Sequence, residues 1–311
     1  MRVKPWAMMA DMTSTAGPQL GVAFVPNQPP ERLRSFAQAA DAAGLDELWV
    51  WEDCFKESGI ATATAALAFT ERIRVGVGLL PVPLRNVALV AMEIATLDRL
   101  FPGRFVAGVG HGVQEWMAQV GARVESPMTL LREYAVALRR LLAGEEVTMD
   151  GRYVRLDRVR LDWPPNRPPA LMLGGAGPKS LELAGRLGDG TLLGAALGDD
   201  QVESACRIIT AAAEAGSASG AGPHKIVATQ IAATGPGAQR RVDAELPRWG
   251  QVAGLGIAIA GDARVFAASI RRLAEVGVTS VVIQPTEDEP DLEGLIHFLG
   301  SEVRPLLAAD Q

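Results

Sequence analysis

The chain has 311 residues, of which 48% are hydrophobic and 21% are charged, and its formal net charge at pH 7 is −6. This composition is typical of a globular protein and excludes the basic surface on which nucleic-acid binding depends. No apolar run reaches the roughly eighteen residues of a membrane-spanning helix, so we predict no membrane segment. The two cysteines, Cys54 and Cys206, are far apart in the sequence and indicate a cytoplasmic protein with free thiols.

Residues 1–19 carry two early basic residues but lack the apolar core of a signal peptide, so we expect a flexible N-terminal extension. After it, eight apolar segments have the composition of strands buried on both faces of a parallel sheet. These predicted strands are Leu20–Val25, Glu47–Trp51, Ile73–Leu80, Arg104–Gly110, Ala170–Gly174, Thr191–Ala195, Lys225–Thr234 and Ser280–Gln284.

The helices between these strands are predicted from apolar residues at helical spacing and from their end signals. Asn86 is a candidate N-cap for a helix over Val87–Leu100. Gly44, Gly188 and Gly277 each stand between a helix and the next strand, and we predict that they close these helices in the left-handed conformation. Strands that alternate with helices of about ten to fifteen residues indicate right-handed βαβ crossovers and a parallel sheet.

Eight such strands predict an α/β fold of the (β/α)8 TIM-barrel type, with a single barrel domain over residues 20–307. An open doubly wound sheet would need a glycine-rich turn after its first strand, where this chain has PNQPPE. Two insertions interrupt the barrel pattern. Residues 145–169 contain a hairpin signal at Asp150-Gly151, and residues 236–261 show helical spacing. A division into two domains at the end of the first insertion is disfavoured because it would leave open sheet edges.

In a TIM barrel the functional residues lie on the loops at the carboxyl ends of the strands. The polar candidates at these ends are Asp53 after the second strand, and His111 and Glu115 after the fourth. Arg85, in the loop after the third strand, is a candidate for neutralising a carboxylate of a ligand. Of three histidines in the chain, only His111 follows a strand, so no metal triad is visible and we predict no metal site.

The GGAGPKS segment after the fifth strand is the best candidate for binding a phosphate. Its small residues, Gly175, Ala176 and Gly177, allow backbone N–H groups to converge on an anion. The helix that begins near Lys179 adds the positive end of its dipole, and Lys179 itself adds a full charge. A glycine-rich turn that only permits close packing of helix and strand is the alternative.

The segment ATLDRLFPGRFVAGVGHG, together with LWVWEDCF and GGAGPKSLELAGRLGDG, resembles the bacterial-luciferase-like flavin and deazaflavin oxidoreductases. Within that family the chain is most similar to the actinobacterial enzymes that use coenzyme F420, and the resemblance extends from about Leu20 to Leu307. It implies a (β/α)8 barrel that transfers a hydride between F420 and a small organic substrate. It also implies a homodimer.

The resemblance implies roles for several of these residues. Asp53 corresponds to a carboxylate that faces the deazaflavin ring, and Cys54 replaces a histidine that transfers a proton in some relatives. His111 and Gly112 correspond to positions that contact the cofactor. The segment Gly78, Leu79 and Leu80 closes a strand in which relatives carry a bulge and a cis peptide behind the ring, here the bond Gly78–Leu79.

The loop from Gly175 to Lys179 corresponds to the cofactor phosphate site. We therefore predict that Gly78, Leu79, Leu80, His111, Gly112, Gly175, Ala176, Gly177, Pro178 and Lys179 bind the cofactor together with Asp53, and that Asp53, His111 and Glu115 are catalytic. Val113 stands where the sugar-phosphate dehydrogenases of the family carry a catalytic glutamate, which disfavours that substrate class.

Two other functions stay open at this point. An FMN-dependent monooxygenase would use the same barrel but would need a separate flavin reductase. A barrel that only binds a ligand, without catalysis, is the second alternative, and Cys54 and Val113 are the residues that favour it.

Overall fold

The computed structural model describes residues 17–216, 223–252, 254 and 256–308, so most of the predicted N-terminal extension, residues 1–16, lies outside the described residues. The strands are β1 (Gln19–Phe24), β2 (Glu47–Val50), β3 (Arg74–Pro81), β4 (Phe105–Gly110), β5 (Val147–Asp150), β6 (Arg155–Val159), β7 (Leu171–Gly174), β8 (Gly190–Ala195), β9 (Lys225–Ala233), β10 (Ala258–Ala260) and β11 (Ser280–Pro285). The helices are α1 (Leu33–Ala42), α2 (Gly59–Phe69), α3 (Val87–Leu100), α4 (Gln114–Gln119), α5 (Pro127–Leu142), α6 (Pro178–Leu187), α7 (Asp199–Gly216), α8 (Ala238–Glu245), α9 (Ala263–Glu275), α10 (Leu292–Phe298) and α11 (Arg304–Ala308).

Eight parallel strands close into a barrel in the order β1, β2, β3, β4, β7, β8, β9 and β11, which returns to β1. On either side of β1, Val22 pairs with Leu48 of β2 and with Ile283 of β11. Each barrel strand lies within one residue, at both ends, of a predicted strand. The predicted (β/α)8 barrel is therefore confirmed.

The helix end signals are confirmed with one exception. The Asn86 side chain accepts a hydrogen bond from the backbone N–H of Ala88 at 2.9 Å and caps α3. Gly44 and Gly277 have positive φ values of 72° and 107°, as predicted. Gly188 instead has a φ of −87°, so the prediction of a left-handed cap is wrong there. A Cβ at Gly188 would lie 2.7 Å from the carbonyl oxygen of Gly190, so close backbone packing explains the glycine.

Both predicted interruptions of the barrel pattern contain secondary structure of their own. In the first, β5 and β6 form an antiparallel hairpin around Gly151. In the second, α8 is followed by a 3₁₀ turn at Leu246–Trp249, and β10 then pairs in parallel with β9. Among the described helices none is long and apolar enough to cross a membrane.

Side chains along each barrel strand alternate between the barrel interior and the surrounding helices. Trp49 and Leu192 belong to the inner apolar cluster, whereas Leu48 and Leu193 pack in the outer one, between strands and helices. In β3 the pairing with β4 shifts between Val77 and Leu80, so the strand carries the predicted bulge.

At the amino-terminal end of the barrel, a group of polar side chains fixes Trp49 from below. Glu47 is 2% exposed and accepts hydrogen bonds from the Trp49 indole at 2.9 Å and from the Ser280 hydroxyl at 2.7 Å. Arg74 neutralises the Glu47 carboxylate at 2.8 Å. The indole ring lies against Gly76, where a Cβ would come within 2.5 Å of it. This barrel floor gives Trp49 a single orientation towards the cavity above it.

Candidate active site

A cavity of about 400 Å³ lies at the carboxyl ends of the barrel strands. Its walls include most of the residues predicted from the sequence, namely Asp53, Gly78, Leu79, His111, Gly112, Gly175 and Ala176. These come from β2, β3, β4 and β7 or from the loops that follow them. The barrel thus brings four distant parts of the chain to one place.

Some predicted residues lie elsewhere. Leu80 is 1% exposed and packs in the outer core, because it follows cavity-lining Leu79 along the strand and points the opposite way. Glu115 is exposed on α4, whereas its neighbour Trp116 lines the cavity, because successive helical side chains point about 100° apart. The structure therefore does not bring Leu80 or Glu115 to the site.

Gly177, Pro178 and Lys179 are exposed beside the cavity and do not line it. In this loop the backbone N–H groups of Ala176 and Gly177 do not converge on open space. They donate to the Ser180 hydroxyl oxygen, at 3.2 and 3.1 Å respectively. The hydroxyl in turn donates to the Gly177 carbonyl at 2.8 Å. Ser180 therefore occupies the position expected for an anion, a feature that the glycine pattern alone did not predict.

The Asp53 carboxyl group faces the cavity without a hydrogen-bond donor among the described residues. Burial raises its pKa, and the positive charge of Lys56 opposes that shift only in part. An incompletely solvated carboxylate with no fixed partner is available to a bound molecule.

Next to Asp53, Glu52 is committed to structure. Arg85 donates to both oxygens of its carboxylate, with one contact at 2.7 Å, and the backbone N–H of Gly59 donates at 2.7 Å. The Arg85 guanidinium also lies 3.6 Å from Glu93. The sequence-based role of Arg85 as a partner for a ligand carboxylate is therefore wrong, because two carboxylates of the chain already occupy it.

His111 is a second titratable group of the cavity wall. Burial lowers its pKa, and contact with the Pro127 backbone opposes the shift. Its Nδ1 atom is buried without a hydrogen-bond partner among the described residues. The imidazole is therefore neutral near pH 7 and has one ring nitrogen free for a bound molecule.

The bond Gly78–Leu79 is a cis peptide, as predicted, and a second non-prolyl cis bond joins Cys54 to Phe55. The Leu79 side chain packs against two glycines of the next two strands, Gly110 of β4 and Gly174 of β7. A Cβ at Gly110 would lie 2.6 Å from it. These glycines leave a smooth apolar surface around Leu79, and this surface suits a flat ring.

Burial raises the pKa of the Cys54 thiol, and the charges of Glu52 and Asp53 raise it further, so the thiol is protonated at neutral pH. We expect Cys54→Ser to leave turnover within a few-fold, because an uncharged hydroxyl replaces an uncharged thiol. Steady-state kinetics check this. A loss of about 10²–10⁴-fold with cofactor still bound would show that the thiol transfers a proton.

Sequence reasoning missed the tryptophans of the cavity. Trp49, Trp51, Trp116 and Trp249 all line it. Trp49 and Trp51 are two residues apart at the end of β2, a spacing that places both side chains on the same face of a strand and could have revealed them. Trp249 lies in an insertion, and no local signal connects it with the barrel mouth.

The class of protein follows from comparison with known sequences. The profile of the luciferase-like monooxygenase family matches residues 8–280 of this chain. The chain therefore belongs to the luciferase-like monooxygenase family.

Two relatives show how the similarity is distributed. A 5,10-methylenetetrahydromethanopterin reductase from Methanolobus tindarius is 33% identical over 196 residues, which are 63% of this chain and 60% of that protein. An F420-dependent glucose-6-phosphate dehydrogenase from Kineococcus radiotolerans is 31% identical over 185 residues, 55% of this chain and 54% of that protein. The chain thus matches these relatives over little more than half of their length.

Solved structures share the fold over nearly the whole chain. An F420-dependent secondary alcohol dehydrogenase in complex with an F420-acetone adduct has a TM-score of 0.82 at 21% identity and covers 94% of this chain and 99% of its own. A monooxygenase from Streptomyces bottropensis has a TM-score of 0.79, also at 21% identity, and covers 92% of this chain and 99% of its own. Both likenesses concern the fold.

Proposed function

We propose that this protein is an F420-dependent oxidoreductase that transfers a hydride between the deazaflavin and a small organic molecule. The observation that carries the proposal is the common lining of one cavity by Gly78–Leu79, His111–Gly112 and Gly175–Ala176. These are three of the segments that the family resemblance assigns to the cofactor. Relatives that are named as F420-dependent dehydrogenases support F420 as the cofactor of this chain.

The residues present fit such a group. A flat ring needs an apolar wall, which Leu79 and the glycines around it supply, and its polar edge needs partners, which the free Nδ1 of His111 offers. The bound deazaflavin would supply the hydride donor or acceptor. The protein's part is to orient the ring and to exclude water from the cavity.

Asp53 and His111 are the chain's own candidates for handling the accompanying proton. Neutral His111 donates its ring N–H to the Pro127 carbonyl, so the free Nδ1 carries no hydrogen and can accept a proton. The lowered pKa of His111 keeps it neutral near pH 7. The Asp53 carboxyl group lines the same cavity and would face a ring bound there. Glu115, which is exposed on α4, has no part in this proposal.

The rim at Gly175–Lys179 is the proposed site for the cofactor phosphate. The N-terminus of α6 and the Lys179 ammonium group are exposed there and open to an anion. The Ser180 hydroxyl, now bonded to Ala176 and Gly177, can rotate and donate to a phosphate oxygen.

We expect Lys179→Ala to weaken F420 binding by about 1.5–3 kcal/mol, or about ten- to a hundredfold, through loss of a charge-assisted bond. The melting temperature should stay unchanged because Lys179 is exposed. Arg186→Ala, at the other end of α6, is the matched control and should bind F420 normally. Equal F420 affinity for Lys179→Ala and wild type would refute the phosphate site.

We also propose a homodimer. On α3, Leu89, Met92 and Leu100 are 46, 57 and 64% exposed, and α2, the preceding helix in the chain, contains no charged residue. Apolar helix faces of this kind are stabilised when a partner covers them. Sedimentation velocity should give a mass of twice the chain, and a monomer at micromolar concentration would contradict the proposal.

A cytoplasmic location likewise stays a proposal, supported by the free thiols of Cys54 and Cys206.

A further inference from the structure

The cavity wall contains aromatic rings from three separate loops or helices at the barrel mouth. We call Trp51, Trp116 and Trp249 the tryptophan wall; they come from the end of β2, from α4 and from the second insertion. The rings of Trp51 and Trp249 meet edge to face, with centroids 6.4 Å apart and planes at 76°. Such a perpendicular pair forms a corner that offers a flat molecule one ring face and one ring edge.

The corner is preorganised, because the insertion that carries Trp249 is bonded to the rest of the barrel. Glu245 accepts hydrogen bonds from the Trp249 indole and from the backbone N–H of Glu287, both at 3.1 Å. Arg241 forms an ion pair with Glu289 at 2.9 Å, and both side chains are at least nine-tenths buried. Trp249 is thus fixed in place before any ligand arrives.

The charges around the cavity select against an anion. Among the described residues that line it, none is a lysine or an arginine, and the acidic members are Glu52 and Asp53. Lys56 lies outside the lining and its positive charge acts on Asp53. Arg85 is already shared between Glu52 and Glu93. A phosphate or carboxylate placed against the tryptophan wall would lose its hydration without gaining a counter-charge.

We propose that the tryptophan wall binds the substrate and that this substrate is a planar, aromatic or conjugated molecule without negative charge. The inference rests on the proposed function, since it names the substrate class of the same cavity. A neutral planar substrate would differ from the charged substrate of the sugar-phosphate dehydrogenases among the relatives. Val113, an apolar residue exposed in the cavity wall, supports this difference.

Two probes of the same ring test the proposal, naphthalene-2-methanol, which is neutral, and naphthalene-2-carboxylate, which is anionic at pH 7. Each is titrated by calorimetry into protein loaded with F420, and glucose 6-phosphate is titrated in parallel. We expect naphthalene-2-methanol to bind at least about tenfold more tightly than the carboxylate, and glucose 6-phosphate to give no binding heat. Tighter binding of either anion would overturn the proposal.

Variants locate the binding to the wall. Trp249→Ala should weaken binding of naphthalene-2-methanol about tenfold, and Trp249→Phe should restore most of it, since loss of one aromatic face is commonly of this size. F420 affinity should fall much less than the affinity for naphthalene-2-methanol in both variants, because the segments assigned to the cofactor are unchanged. Trp163→Ala is the control, because Trp163 is 72% exposed and stacks on Arg99 outside the cavity. Unchanged binding of naphthalene-2-methanol to folded Trp249→Ala would refute the tryptophan wall.

A titration of the purified protein with F420, made before the naphthalene titrations, separates the two proposals. A protein that fails to bind F420 contradicts the proposed function. In that case the same naphthalene titrations, made into wild type and Trp249→Ala without cofactor, decide whether the wall recognises planar neutral molecules. A protein that binds F420 but prefers glucose 6-phosphate keeps the proposed function and loses the substrate class.

Discussion

Asp53→Asn is expected to lower turnover about 100-fold and, at the same time, to raise the melting temperature at pH 7. The expected loss of turnover rests on the proposed role of the Asp53 carboxyl group towards the bound cofactor, because removing a preorganised donor or charge has an effect of this order. The gain in stability follows from the raised pKa of Asp53 in the folded protein, since burial disfavours its ionised form. Asparagine keeps the shape and does not ionise.

The pH dependence of this gain has a definite sign. Because the folded-state pKa of Asp53 lies above its usual value of 3.8, the stability due to the protonated group is complete below pH 3.8 and is lost as the pH rises through the folded-state pKa. Asp53→Asn keeps this stability at every pH, because asparagine does not ionise. Melting temperatures of wild type and Asp53→Asn should therefore converge in acid and diverge towards pH 7.

A matched control is Asp157→Asn, on the exposed side of the β5–β6 hairpin, which should change neither turnover nor melting temperature. If Asp53→Asn lowers the melting temperature at pH 7 and leaves the turnover of the folded fraction normal, Asp53 is a structural cap and has no role in catalysis.

Arg85→Met is expected to destabilise the fold by about 3–5 kcal/mol, the usual effect of removing one partner of a buried ion pair. Arg85 is 16% exposed, and its loss would leave Glu52, 8% exposed, and Glu93, 22% exposed, without a counter-charge. Methionine fills a similar volume, so the effect reports on the charge. Urea unfolding of the protein measures it.

Two further variants show whether the loss of stability in Arg85→Met comes from the buried charges. Arg155→Met removes a pair whose side chains are 75 and 93% exposed, and it should alter stability by less than about 1 kcal/mol. Combining Arg85→Met with Glu52→Gln should recover part of the loss, because the stranded charge is gone. A free energy of unfolding within about 1 kcal/mol of wild type for Arg85→Met alone would show that water or rearrangement compensates the two carboxylates.

The barrel could be predicted from the sequence because its signals are local. Buried parallel strands are continuous apolar runs, and the boundaries of α3 are marked by Asn86 and by the turn after Leu100. The placement of Asp53, His111 and Gly175 in one cavity followed from a rule of topology, since the carboxyl ends of all barrel strands meet at one face.

The features of the site that could not be predicted depend on contacts that form only when the chain folds. Arg85 is a plausible ligand contact until folding places Glu52, 33 residues away, against it. The Ser180 hydroxyl fills the apparent anion nest because the first turn of α6 folds back on the loop. Glu115 and Trp116 are equally close to the strand end, and only the rotation of α4 decides which one faces the cavity.

The most direct test of F420 dependence is a pair of dissociation constants, obtained by titrating the purified protein separately with F420 and with FMN and following tryptophan fluorescence. Four of the six tryptophans of the chain line the cavity and respond to a ring bound there. We expect F420 to bind at least about tenfold more tightly than FMN, a difference of about 1.4 kcal/mol. Tighter binding of FMN would contradict F420 dependence and favour an FMN-dependent monooxygenase, and binding of neither would leave a barrel without a redox cofactor.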